Sequence, residues 1–328
     1  MSNVIPKDLR PVFSVDVSKD AVRSKLLELL GLDEIPKEID FTEGITQTEE
    51  GIRATRLTYT NSLSETVPGI IMVPLNASSQ KLPGVVCIPG TGGSAQKIAH
   101  QRFYLEEDPP GMLIGWAREL ARRGFATLAI SPKGSVTRRP SIEHWNLEGK
   151  LLTPYGRPQM GILIEETLRA ARILAASERV DPDSIGITGM SLGGNATWYA
   201  MAAAPWIRAG APICGGVGRM ASVIHEGDIE RHSAYFFIPH MLRYFDHPEV
   251  VAACMSPRPF MMVAPTQDED MPRKGVDDLI QVVEPVYGSL GYPERFKVYQ
   301  PEGNHRFLPE YFEWMVEWFR RFLTDKEA

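Results

Sequence analysis

The sequence predicts an α/β fold with a mainly parallel sheet and helices on both of its faces. Three observations support this. Short apolar runs bounded by Pro and Gly, such as 83–90 and 125–131, fit strands buried on both faces. These runs alternate with longer segments whose apolar residues recur at helical spacing. The chain has 328 residues, 43% hydrophobic and 23% charged, enough to bury the core of one large domain or two modest ones without disulfide or metal staples.

Residues 1–50 predict an N-terminal arm that packs on something larger, with a short amphipathic helix from Ala21 to Leu30 amid Pro and Gly punctuation. A larger unit, 51–328, begins where the pattern changes. GIRATRLTYTN alternates as a strand, and TVPGIIMVP follows the turn signal NSLSE as a second. PGVVCIPG is a buried strand, Gly111 to Arg123 has helical spacing, and FATLAIS is another buried strand. Gly161 to Glu178 is a long amphipathic helix with Ile164, Leu168, Ala171 and Ala175 on one side. Asp183 to Met190 reads as a strand, and Leu192 to Ala203 as a helix rich in small residues. IRAGAPIC, RPFMMVAP and ERFKVYQ are three further strands, with helices at about 274–290 and 309–324 after the last two. The connection 215–257 is long enough to be a helical insertion serving as pocket wall or lid. Strands alternating with helices imply right-handed crossovers, and ligands then bind at the carboxyl ends of the strands.

Composition excludes several classes of function. A formal charge of −6 speaks against nucleic acid and against a polybasic membrane surface. Three cysteines, Cys87, Cys214 and Cys254, are too few and too scattered for a disulfide framework or a zinc pattern. Cys87 and Cys214 lie in apolar runs and read as inert buried thiols. His225-Glu226 with His232 lacks the H-E-x-x-H spacing, so no metal is expected. No apolar run reaches the ~18 residues of a membrane span, and MSNVIPKDLRPVF lacks the layout of a signal peptide. The expected setting is cytoplasmic, and the expected partner a small molecule; a homo-oligomer stays open.

Gly189-Met190-Ser191-Leu192-Gly193 spells G-x-S-x-G between a predicted strand and a predicted helix. The spacing has a steric reason: the serine occupies a strained turn in which bulk at either glycine would collide with neighbouring backbone. Such a turn raises the hydroxyl above the sheet edge and aims the Leu192 amide at a developing oxyanion. A serine nucleophile needs a base and an orienting acid, here in the order Ser, Asp, His. Asp268 is the first acid past the strand RPFMMVAP, with Asp270 as rival. His305 follows ERFKVYQ in the loop PEGNHRF; of seven histidines it alone has this placement.

The loop Pro89-Gly90-Thr91-Gly92-Gly93-Ser94 follows a strand and offers backbone amides without bulk, and the Thr91 amide is the second oxyanion donor. The same loop matches G-x-G-x-x-G/A loosely. No helix opens there at once and no acid closes a second strand, so a dinucleotide site is disfavoured; no cofactor is expected. Substrate contacts are expected from Tyr235, Phe236 and Phe237 in the insertion and from Trp145 beyond FATLAIS, and Arg138 or its neighbour Arg139 could meet an anionic substrate, the alternative being a solvated surface pair.

Through PGTGGS, RVDPDSIGITGMSLGG, IPHMLRYFDHPEVVAACMSPRPFMMVAPTQDED and EGNHRF, residues 50–325 resemble the α/β-hydrolase superfamily, in particular its dienelactone-hydrolase-like and acetyl-xylan-esterase-like branch. The resemblance implies Ser191, Asp268 and His305 as a triad, with the Thr91 and Leu192 amides as the oxyanion hole. Pro89-Gly90 stands where the family often has His-Gly. Ser191 stands where true dienelactone hydrolases carry cysteine, which favours a general carboxylic ester over a dienelactone. The expected activity is that of a serine hydrolase cleaving esters through an acyl-enzyme. A peptidase, amidase or lactonase could use the same triad. From other classes, a non-catalytic binding protein or a nucleotide-dependent oxidoreductase would be the alternative.

Overall fold

The computed structural model describes residues 18–75, 81–103, 113–139, 141–227 and 229–324. In chain order the elements are α1 (Lys19–Leu30), β1 (Phe41–Glu49), β2 (Ile52–Thr60), β3 (Thr66–Pro74), β4 (Leu82–Ile88), α2 (Ala95–Ile98), α3 (Trp116–Arg122), β5 (Ala126–Ile130), α4 (Ile142–Leu152), α5 (Gln159–Ala176), β6 (Val180–Met190), α6 (Leu192–Ala203), β7 (Ala209–Ile213), α7 (Met220–Glu226), α8 (His247–Met255), β8 (Phe260–Val263), α9 (Arg273–Ser289), β9 (Phe296–Tyr299) and α10 (Pro309–Phe319).

One nine-stranded sheet runs in the order β1-β2-β3-β5-β4-β6-β7-β8-β9. The first three strands are antiparallel, β3 joins β5 antiparallel, and the rest of the sheet is parallel. Strands β4, β5, β7 and β8, and β6 from Ile185 on, are mostly apolar and buried because helices cover both faces. One apolar cluster packs α1, α5, α6, α8 and α9 on one face; the other packs α2, α3 and α10 on the opposite face.

The expected strands and helices from 51 onward are present, with ends shifted by a few residues. The differences lie elsewhere. Within the expected arm, Phe41–Glu49 forms the edge strand β1, exposed along its whole length. FTEGITQTE has no apolar face, so no alternation signalled it. The helix expected from Gly111 begins at Trp116; Gly111 and Met112 lie outside the described residues, as do residues 1–17 of the arm. The aromatic run of the insertion is not a long helix. Ala234–Phe236 and Met241–Arg243 are single 3₁₀ turns separated by Ile238-Pro239, and proline has no N–H to continue a helix.

Helix α1 docks across the C-terminal ends of α6 and α8. It buries Val22, Leu26 and Leu30. Arg23 donates from Nε to the Ala202 carbonyl at 3.2 Å and from Nη2 to the Cys254 carbonyl at 3.2 Å; Lys19 Nζ reaches the Ser256 carbonyl at 3.2 Å. Cationic donors thus satisfy carbonyls that the ends of α6 and α8 leave open.

Candidate active site

Ser191 is the single residue between β6 and α6, and it makes the whole change of direction. Its backbone sits at φ 57°, ψ −117°, which L-residues rarely adopt. Two backbone–backbone hydrogen bonds hold it there, Ser191 N–H donating to the Ile213 carbonyl at 3.0 Å and Asn195 N–H to the Ser191 carbonyl at 2.9 Å, and Asn195 Nδ2 adds a longer one to the same carbonyl at 3.4 Å. The flanking glycines are required by contact. A Cβ on Gly189 would lie 2.5 Å from the Gly193 carbonyl carbon and oxygen, and one on Gly193 would lie 2.1 Å from the Ile88 carbonyl oxygen. Ser191 is half-buried, and its Oγ makes no hydrogen bond among the described residues.

The loop 89–94 leaves the same edge of the sheet, because β4 and β6 are parallel neighbours with Ile88 opposite Gly189. Gly92 takes φ 76°. Among the described residues neither the Thr91 nor the Leu192 amide donates to a protein acceptor. The loop is strapped from behind: Ser135 Oγ donates to the Gly93 carbonyl at 2.6 Å.

Asp268 and His305 follow β8 and β9, and backbone bonds zip their loops together. Thr266 N–H donates to the Pro301 carbonyl and Gln267 N–H to the Gly303 carbonyl, both at 2.9 Å. His305 Nδ1 lies 2.9 Å from Asp268 Oδ1. Asp270, the rival acid, takes the other side of the ring, with Oδ2 3.3 Å from Nε2. Asp270 is itself held: Arg231 Nε donates to its Oδ1 at 2.5 Å, and His232 Nε2 lies 2.8 Å from its carbonyl oxygen. Burial pulls the His305 pKa down, but the hydrogen bond and charge of Asp268 and the charge of Asp270 outweigh it. The net direction is upward from 6.5, toward the cation. Arg231 and His232 carried no motif, and only the folded insertion brings them to this loop.

Cys214 is the third neighbour of the pair. One ligand atom each from Cys214, Asp268 and His305 lies within 4.8 Å of the others, a spacing that could hold a metal ion. The chemistry of the donors fits poorly. Burial, and then the Asp268 charge, push the thiol well above its ordinary value, so it stays protonated, and Asp268 and His305 already bond each other. Binding would require a thiolate and the loss of that bond.

The expected substrate contacts separate. Tyr235 is half-buried, and its hydroxyl meets the Thr91 side chain of the loop 89–94. Phe237 is half-buried and edge-on to Phe236, with centroids 5.3 Å apart. Phe236 is 1% exposed and stacks on His232 at 4.0 Å; it supports the wall from inside. Trp145, also 1% exposed, lies 5.9 Å from the Tyr235 ring as its backing. Arg138 corrects the expectation. Its Nη1 donates to Glu166 at 2.8 Å and its Nη2 to Glu65 at 3.1 Å, so it is used inside the protein. A fully buried Glu166 demands such a cation, a need that spacing in the sequence does not reveal.

The acetyl xylan esterase of Paenibacillus sp. R4 superposes at TM-score 0.67 with 18% identity, covering 97% of this chain and 100% of its own. A glucuronoyl esterase of Solibacter usitatus gives 0.64 with 12% identity, covering 98% and 99%. The chain has the α/β-hydrolase fold. YtaP of Bacillus subtilis (strain 168), provisionally named a hydrolase, is 28% identical over 187 residues, which span 57% of this chain and 61% of that protein. No protein-family model matches the chain. In this hydrolase fold Ser191 sits at the strand-to-helix turn after β6, and no helix among the described residues is long and apolar enough to cross a membrane.

Proposed function

We propose that the chain is a serine hydrolase that cleaves carboxylic esters through an acyl-enzyme on Ser191. One observation carries the reading: a strained serine between two unpartnered amides, at the sheet edge from which a carboxylate-bound imidazole also rises. His305 takes the Ser191 proton through Nε2 as Oγ attacks the ester carbonyl. Asp268 fixes the tautomer with the proton on Nδ1 and stabilises the cation that forms. The amides of Thr91 and Leu192 receive the oxyanion. The protonated imidazole returns its proton to the leaving alcohol, and water then repeats the attack on the acyl-enzyme with His305 as base.

Nε2 lies 3.3 Å from Asp270 Oδ2 and makes no hydrogen bond to Ser191. In the reaction Asp270 must yield that nitrogen, and its Arg231 partner gives it an alternative place for its charge. The fold neighbours named as acetyl xylan and glucuronoyl esterases support ester chemistry. The test is a panel of nitrophenyl esters of graded acyl length, read beside peptide and lactone substrates. A fluorophosphonate should label wild type but not Ser191→Ala; equal labelling of both would remove Ser191 from its role.

A further inference from the structure

We propose that Arg139, with Tyr235, forms a subsite for a carboxylate carried by the substrate, beside the oxyanion loop. This deepens the esterase reading and rests on it for the word substrate. Arg139 and Arg138 are neighbours with opposite fates. Arg138 is bound to Glu65 and Glu166, whereas Arg139 has no hydrogen-bond or ion-pair partner for its guanidinium among the described residues. Its Nη1 is out of contact with solvent and has no acceptor. A buried guanidinium nitrogen without an acceptor is costly, and an anion supplied by a ligand removes that cost.

The position is tied to the reacting centre. Nη2 of Arg139 lies 3.9 Å from where a Cβ on Gly92 would stand, next to the Thr91 amide proposed for the oxyanion. From across this loop comes Tyr235, whose hydroxyl meets the Thr91 side chain and lies in the field of Arg139. Burial pushes that phenol up to about 12, so it remains a neutral donor beside the cation. A fork of N–H donors with a neighbouring O–H suits the two oxygens of a carboxylate.

The backbone that carries Arg139 is tied to the loop. Arg139 N–H donates to the Ser135 carbonyl at 3.1 Å, and Ser135 Oγ holds the Gly93 carbonyl. Arg138, one residue earlier, anchors the turn to buried Glu166. The opposing charge nearby is Asp270, whose Oδ1 is committed to Arg231 and whose Oδ2 faces His305.

Two matched pairs of esters test the proposal and separate the two sides of the ester. For a carboxylate on the alcohol side, 3-acetoxybenzoate is compared with methyl 3-acetoxybenzoate. For the acyl side, monomethyl glutarate is compared with methyl pentanoate. In at least one pair kcat/KM should favour the anion about tenfold or more, the scale of one charge-assisted hydrogen bond. Arg139→Met should bring that ratio to about one, Arg139→Lys should retain part of it, and added salt should lower it. Absence of preference in both pairs, or a preference that survives in Arg139→Met, overturns the subsite. Calorimetry on Ser191→Ala gives a readout that needs no turnover. Binding of 3-acetoxybenzoate or monomethyl glutarate should weaken about tenfold when Arg139→Met is added. Binding that depends on Arg139 without hydrolysis of any ester would leave the subsite standing and sink the esterase reading. Ester hydrolysis that depends on Ser191, without anion preference or Arg139-dependent binding, would do the reverse.

Discussion

The two sides of the site are held by different forces. On the side of β4 and β6, the serine is fixed by backbone crowding: Gly189, Gly193 and Ile88 lie so close that neither glycine has room for a Cβ. On the side of β8 and β9, the imidazole is fixed by charge, between Asp268 at 2.9 Å and Asp270 at 3.3 Å, with Arg231 behind. Steric fixation does not depend on pH or salt. Charge fixation depends on both, so under the proposed mechanism the histidine side is where the conditions of the solution set the activity.

The largest break is on the crowded side. Ser191→Ala should remove on the order of a millionfold in kcat with an unchanged thermal midpoint, since it deletes one oxygen that no described group holds. A retained rate would show that the strained turn serves something other than attack. On the charged side, Asp268→Asn should cost up to about ten-thousandfold by holding the imidazole in the wrong tautomer. A larger loss from Asp270→Asn than from Asp268→Asn would exchange the roles of the two acids.

Arg138→Met tests what anchors the turn behind the loop 89–94. It leaves Glu166 buried without its cation, and should destabilise the fold by about 3–5 kcal/mol in denaturant titration. The Arg138→Met, Glu166→Met double variant should recover part of that loss. If it recovers none, the pair is not what fixes the turn.

The smallest effect sharpens the comparison most. His305 is raised above 6.5, and the base form predominates only above the raised value, so kcat/KM should climb with pH to a plateau in mild alkali. Asp270→Asn removes one of the upward influences and frees Nε2. The acid limb should then move to lower pH, making the variant more active than wild type at about pH 6, near the reference imidazole value. An unmoved limb would mean that Asp270 leaves Nε2 before the proton does.

The same contrast explains what could be read in the amino-acid order. Gly189, Ser191 and Gly193 are local, and local crowding leaves a spacing that a reader can recognise. Sheet strands from β2 onward are legible for a similar reason, β2 by its alternation and β4 and β5 as buried runs punctuated by Pro and Gly. The partners of His305 are brought together by tertiary folding: Arg231 and Asp270 stand 39 residues apart, with nothing in either neighbourhood to announce the other. Arg138 and Arg139 look alike in sequence, and only Glu166, 28 residues past Arg138, separates their roles. β1 was missed because an edge strand exposed on both faces needs no apolar pattern.

Helix α1 has a consequence for the order in which the molecule is made. Its anchoring contacts, from Arg23 and Lys19 to carbonyls at the ends of α6 and α8, join residues 179 to 237 positions apart. At about 5–20 residues per second, a ribosome needs roughly ten to fifty seconds to deliver those carbonyls after α1 has emerged. A 12-residue helix is marginal alone in water, so Val22, Leu26 and Leu30 spend that interval exposed. The nascent chain therefore carries an unsheltered apolar segment through that interval, and a chaperone that binds early would find it there.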